Sequence, residues 1–573
     1  MRHIVRYAAT AAVAVLSLLP ARAQQAPSTP SQPQANTPLG KLVETIDVKV
    51  IGVDVVVTDK KGNIIKGLTK DDFEIYENNR AVPITNFYEV DGPKTRGGGP
   101  AVEPEPQPTT AAATPTRQEI PDNLKRRIIF YIDNLSMAPF NRNRVFSQMK
   151  EFVKTSMRPG DEAMIATFNR SMKVRVPFTK DPVQIQQTLD VIAGESALGL
   201  SNRSERKDVE DRIRDAQDYT SALASARTYA SSVEHDLRTS VASINALMGT
   251  LAGVEGKKIL VLTSEGFPMQ PGREMFYFID DVAKEKGWSQ GSTMLEGMSF
   301  DAHSLIQDVA KTANANNITM YTIHAAGLSA GNEMSAENDR PVSFQVSQAA
   351  LSNTTDSMLM MADMTGGLAS TQTNNFKEAF NKINRDLDSY YSLGYRGSFE
   401  RVDRQKNLEV KIKNKNYVAR ARTSFVEKST FAEMSDRVIA NLLYKTKEND
   451  LKILVKANPP RPADDDLFRV PIEVQIPMES LTFLPQGENG YAGGFDVYVV
   501  VGDRNGDMSD VNRQSHQIHI DADKLAATKG KYYSYELELL MERGLNKISI
   551  GVVDEISNTS GFAREQILAQ DLR

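Results

Sequence analysis

A central doubly wound α/β domain, flanked by a small N-terminal β module and a C-terminal β-sandwich, is the multidomain architecture this sequence predicts. Three observations predict it. Short apolar runs such as 128–132 and 259–262 read as strands buried on both faces, and they alternate with amphipathic stretches of helical period. On either side of that block, apolar residues alternate singly between Gly, Asn and Asp turns, the pattern of half-buried antiparallel strands. A Pro/Gly/Thr-rich tract at 92–123 separates the first β region from the α/β block. At 573 residues the chain is also too long for a single core.

Residues 1–23 read as an export signal: Arg2 and Arg6, an apolar run at 8–19, then Ala21-Arg22-Ala23 before Gln24. That run has roughly a dozen residues where a membrane span needs about 20, so cleavage and an exported, periplasmic or extracellular location are expected. No other stretch is long enough to be a transmembrane segment. Zero cysteines exclude disulfides, thiol catalysis and Cys–zinc sites. The balance of 68 basic against 73 acidic side chains leaves no nucleic-acid footprint, so a protein or cell-surface partner is expected.

Residues 24–40 form a flexible tether, and 41–91 the small β module, with a turn at Asp59-Lys60-Lys61-Gly62-Asn63. The α/β domain spans 124–398. Arg126 and Arg127, read as exposed, lead into the first buried strand, which stops on Asp133. Asp181-Pro182 supplies an N-cap and a first-turn proline. Helix-compatible sequence then runs from 204 to 251 without proline, and without glycine before Gly249. As one rod this would reach roughly 70 Å at about 1.5 Å per residue, so its first half is expected to project into solvent. A β extension at 399–430 and a second sandwich at 431–573 complete the chain.

Asp133 is the strongest lead to function, because it stands at the carboxyl end of a buried parallel strand, the edge where open α/β sheets bind ligands. Other candidates are weak. Asp503-x-Asn505-x-Asp507 imitates the start of a calcium loop, but Met508 occupies a place where the loop needs glycine, and a hairpin turn fits better. His516 and His519 point to opposite faces of a strand and cannot chelate together. His303 and His324 stand in no motif. No phosphate-binding loop, zinc spacing or nucleophile elbow appears.

Several motifs recur in a recognisable order: Val55-Val56-Val57-Thr58-Asp59 and Gly67-Leu68-Thr69-x-x-Asp72-Phe73, then the strand ending at Asp133, Arg158-Pro159-Gly160-Asp161, Leu262-Thr263-Ser264-Glu265-Gly266-Phe267, Ala362-x-x-Thr365-Gly366-Gly367 and Tyr390-Tyr391-x-Leu393-Gly394-Tyr395. The α/β block resembles a von Willebrand factor A domain, and the stretch 53–426 resembles the VWFA-related family of exported acidobacterial proteins. That resemblance implies adhesion-type binding and raises a magnesium site at the sheet edge, built from an Asp-x-Ser-x-Ser loop. Here the loop reads Asp133-Asn134-Leu135-Ser136-Met137. Leu135 and Met137 replace the two hydroxyls, leaving Asp133, Ser136 and Glu265 as a degenerate set of metal ligands, for which at most a weakly held magnesium ion is expected. The leading expectation is a non-enzymatic interaction protein with no resident cofactor. The rival is a hydrolase using Asp133 and Glu265 as a carboxylate pair, which requires both to face one cleft with raised pKa values.

Overall fold

The computed structural model describes residues 50–92, 94–97, 125–289, 293–328, 343–397, 402–446, 448–463, 467–486 and 490–570. The export signal, the tether and most of the Pro/Gly-rich tract lie outside the described residues. The chain divides into two compact units, Val50–Tyr444 and one holding Lys445–Arg573.

At the centre of the first unit is a six-stranded sheet: β1 (Arg126–Asp133), β2 (Glu162–Phe168), β3 (Met172–Thr179), β4 (Lys257–Ser264), β5 (Ile318–His324) and β6 (Ala369–Ser370), in the order β6-β5-β4-β1-β2-β3. All neighbours are parallel except the β2–β3 hairpin. Strand order reverses between β1 and β4, so the crevice at their carboxyl ends is the topological switch point of this sheet.

Alternation along β1 divides the core. Ile128, Phe130 and Ile132 face one layer with helices α1 (Pro139–Ser156) and α2 (Pro182–Ala193), while Ile129 and Tyr131 face the other. Asp181 caps α2, its Oδ1 accepting the Val183 N–H at 2.8 Å. A fully buried aliphatic or aromatic side chain in either layer stabilises by about 1.5–3 kcal/mol, and this two-sided burial is why β1 reads as an unbroken apolar run.

Arg126 and the long helical stretch both depart from the sequence reading. Arg126 is buried, not exposed: its Nε donates to Asp161 Oδ1 at 2.9 Å and its Nη1 to Asp388 Oδ1 at 3.0 Å. The long helical stretch is two helices, α3 (Gly199–Asp215) and α4 (Tyr219–Thr250), and the first does not project. Asp218 starts α4 as its N-cap, accepting the Ser221 N–H at 2.8 Å, a break made without proline or glycine. Val209 and Ile213 of α3 are buried in one cluster with Ala222 and Ala226 of α4 and with Phe278 and Ile279 of α5 (Arg273–Lys286). The far half of α4 packs on the sheet through Leu237, Val241, Ile244 and Leu247, together with α7 (His303–Ala315) and α8 (Phe344–Met364), while α6 (Thr293–Met298) lies against Phe276 of α5; α9 (Phe376–Asp388) closes the opposite face.

The small β module and the β extension are one sandwich. Its first sheet joins Val50–Asp59, Ser389–Arg396, Ile84–Asp91, Lys94–Gly97 and Tyr417–Arg420; its second joins Phe73–Glu77, Arg80–Val82, Gln405–Ile412 and Ser424–Val426. Ser389–Arg396 therefore pairs with Val50–Asp59 rather than closing the α/β rhythm, and Tyr391, Leu393 and Tyr395 point inward against Val53, Val55 and Phe73. The α/β domain is inserted into this sandwich. Helix α10 (Thr430–Tyr444) ends the first unit, its Ala440 joining the core over β4, so the C-terminal sandwich starts after it and not at 431. That second unit has a four-stranded and a five-stranded sheet around Phe468, Val470, Phe495, Val497 and Ile550.

Candidate functional site

Asp133 ends β1 at the switch point, almost wholly buried, and the loop into α1 wraps around it. Its Oδ1 accepts the main-chain N–H groups of Leu135 at 3.1 Å and Ser136 at 3.3 Å. Its Oδ2 accepts the hydroxyls of Ser136 and Ser264, both at 2.7 Å, and those two oxygens lie 2.9 Å apart. Burial raises the Asp133 pKa above the ordinary carboxylate value, while the two serine hydroxyls and the loop N–H groups work against that rise. Each hydroxyl accepts as well as donates: Ser136 Oγ from the Glu265 N–H at 3.0 Å, and Ser264 Oγ from the Gly266 N–H at 3.0 Å.

Glu265 stands beside this triangle but turns outward. Its Oε1 accepts the Ala138 N–H at 2.7 Å and Asn141 Nδ2 at 2.9 Å; its Oε2 accepts Arg203 Nη2 at 2.7 Å. Arg203 comes from α3, so the inserted helical hairpin delivers a guanidinium to the sheet edge, with 54% of its side chain exposed. The loop itself is anchored below. Asn134 Oδ1 accepts from Arg142, a fully buried side chain that also donates to the carbonyls of Ala193 and Glu195 at 2.9 and 3.0 Å.

The sequence-expected ligands Asp133, Ser136 and Glu265 are thus brought together, with Ser136 bridging the other two. Leu135 and Met137 are not idle substitutions: Leu135 sits in the core layer of α4 and Met137 in that of α1. The loop is pinned through both faces of the sheet, which leaves Ser136 as the one hydroxyl of 133–137 on the cleft. As a donor set for a cation this arrangement fits poorly, because every carboxylate oxygen of Asp133 and Glu265 already accepts from the protein and Arg203 supplies the positive charge beside Glu265. Among the described residues no group of three or more His, Asp or Glu side chains converges for a metal. Asp133 and Glu265 line the same cleft, Asp133 almost wholly buried and Glu265 held by a guanidinium and two N–H donors.

A cleft of about 1340 Å³ opens over the site, lined by Ser136, Asn141, Arg203 and Glu265 and reaching under α3. Four large apolar side chains on its lining are exposed: Phe140, Leu200, Leu328 and Phe344. His324, at the end of β5, also lines it; the residue is 2% exposed and its Nδ1 has no hydrogen-bond partner, with burial lowering its pKa and Glu265 pulling it up. Sequence reading did not place Ser264 or Arg203 in the site and set His324 aside as standing in no motif; of the three only Ser264 carried a signal, being next to Glu265 at a strand end.

The calcium-like loop is a hairpin turn. Asp503 Oδ1 accepts the N–H groups of Asn505 and Asp507, both at 2.8 Å, and Asp59 does the same with Lys61 and Asn63 at 2.8 and 2.9 Å. Gly506 and Gly62 take the positive φ, 93° and 83°, that such turns demand. His516 stacks on Phe495 at 5.1 Å, away from any second histidine.

No family model and no curated protein matches the chain. Solved structures do. The vWF domain of the type V pili tip protein Mfa5 from Porphyromonas gingivalis is similar over 46% of this chain and 96% of its own, at 12% identity and a TM-score of 0.25. The manganese-loaded TRAP protein of Plasmodium vivax covers 53% of this chain and 95% of its own, at 8% identity and 0.21. A point mutant of the PilB minor pilin from Streptococcus sanguinis covers 60% and 88%, at 11% identity and 0.26. Von Willebrand-type A domains are therefore among the similar structures, and at these scores the likeness carries no argument about function.

Proposed function

We propose that this chain is an exported, non-enzymatic interaction protein that grips an apolar, carboxylate-bearing segment of a protein partner at the carboxyl edge of the central sheet, without a metal ion. The observation that carries this reading is the state of the edge: its two carboxylates are already satisfied, while a half-exposed guanidinium and a ring of exposed apolar side chains are not. Exposed apolar side chains gathered on one cleft mark an interaction surface. Arg203 uses one N–H on Glu265 and keeps donors for a second carboxylate, and Lys207, one turn along α3, is exposed on the same lining. Export is supported by the signal read at 1–23, and no described helix is long and apolar enough to cross a membrane.

The test is retention of the purified protein on an envelope fraction of the source cells. Retention that persists in EDTA, falls at least roughly tenfold in Phe140→Asp with Leu200→Asp, and falls in Arg203→Glu supports the reading. Retention that EDTA abolishes and magnesium restores contradicts it.

A further inference from the structure

At the opposite edge of the sheet, three side chains from separate elements meet. Asn316 caps the carboxyl end of α7, its N–H donating to the carbonyls of Thr312 at 3.2 Å and Ala313 at 3.1 Å, and the residue is 7% exposed. Lys428 lies just past the strand Ser424–Val426, and Asp436 is on α10. Lys428 Nζ donates to Asn316 Oδ1 at 2.8 Å and to Asp436 Oδ2 at 2.5 Å. An amine thereby touches both a primary amide and a carboxylate, and it lies on the amide oxygen, one bond from the amide carbon.

Burial acts against charge on two groups at this corner, Asp436 and Lys258. Burial raises the Asp436 pKa above the usual carboxylate value. Lys258, buried nearby with its Nζ donating to the Val254 carbonyl at 2.7 Å, is pushed down to about 7 by burial and by the charge of Lys428. The backbone packs closely here, since a Cβ on Gly253 would collide with the main chain of Asp436, while the Lys428 and Asp436 side chains are 20% and 26% exposed.

We propose that Lys428 and Asn316 are joined by an intramolecular amide bond, formed by attack of Lys428 Nζ on Asn316 Cγ with Asp436 carrying the protons. The Nζ–Cγ bond forms and the Cγ–Nδ2 bond breaks. Of the three protons on the ammonium, one stays on the new amide nitrogen and two pass through the Asp436 carboxylate to the departing nitrogen, which leaves as ammonium. Charge and atoms balance with no oxidant, reductant or other co-reactant, and Asp436 ends as it began. The product ties the segment between Ser424–Val426 and α10 to the end of α7. It is a covalent staple in a chain that has no cysteine for a disulfide.

The experiment is tandem mass spectrometry of a tryptic digest of the full chain. In the wild type we expect a branched peptide joining the segments that hold Asn316 and Lys428, uncut after Lys428, and lighter than their sum by one ammonia, about 17 Da. Reading the junction peptide, not the intact mass, separates this from ammonia lost at an amino-terminal glutamine. Lys428→Arg keeps the charge and should give the two linear peptides, as should Asp436→Asn. Linear peptides of full mass in folded wild-type protein overturn the proposal, and a linked peptide in Asp436→Asn overturns the role given to that carboxylate.

Discussion

The two ends of the central sheet treat buried charge in opposite ways. At the amino end of β1, two positive charges are held by acids from other elements: Arg126 by Asp161 and Asp388, and Arg127 by Glu162. At the carboxyl end, Asp133 is buried with no cation against it and is satisfied by hydroxyl and main-chain donors, while Arg203, the partner of Glu265, is half exposed at the rim. An ion pair closed off from water holds elements together; one left half exposed at a strand edge remains available to a partner. The contrast predicts that variants at the amino end cost stability and variants at the carboxyl end cost binding.

The largest effect should come from Arg126→Met. It leaves Asp161 and its neighbour Asp388 without their buried guanidinium, and removing one partner of a buried pair costs about 3–5 kcal/mol. Chemical denaturation of the first unit measures it, and a loss below about 1 kcal/mol would mean that this end is no more than an exposed ion pair.

A second test is pH. Lys258 has a folded-state pKa of about 7 against an ordinary value of 10.5. Below pH 7 both states are protonated and the burial penalty is fully present. Between pH 7 and 10.5 the folded protein has shed that proton while the unfolded chain keeps it, so stability rises with pH, by on the order of 1–2 kcal/mol from about pH 7 to about pH 9. Lys258→Met should flatten that rise, and an unchanged pH profile in the variant would assign the slope elsewhere.

Smaller still is the effect expected at α3. Arg214 lies over the Phe278 ring at 4.9 Å, so Arg214→Ala should cost about 1 kcal/mol, whereas Arg203→Ala at the rim should change stability by less than about 0.5 kcal/mol. Equal costs at the two sites would erase the distinction between packed and partner-facing charge on that helix.

How far the site was legible follows from these same residues. Asp133 and Glu265 could be found because an apolar run that stops on an acid marks a strand end, and a strand end in a parallel sheet has a known functional bias. Arg203 could not, because its partner is 62 residues away and a basic residue in a charged helix looks like any solvated face. The same blindness hid the burial of Arg126, whose two acids come from a loop and from the end of α9. Leu135 and Met137 were legible as lost hydroxyls but not as plugs in two separate cores, since which layer each enters depends on the turn. The break between α3 and α4 rests on one aspartate cap that carries no breaker residue. The split sandwich escaped because Val50 and its partner Arg396 are separated by the whole inserted domain. Local periodicity shows strands; it does not show which strand each one finds.

The central claim is that the carboxyl edge works without a metal. Titration calorimetry of the full chain with magnesium, manganese and calcium, in the wild type and in Asp133→Ala, tests it most directly. No saturable isotherm is predicted in either protein for any of the three ions. A saturable isotherm at micromolar affinity in the wild type that disappears in Asp133→Ala would contradict the account, and would make Asp133, Ser136 and Glu265 the ligands of a working cation site.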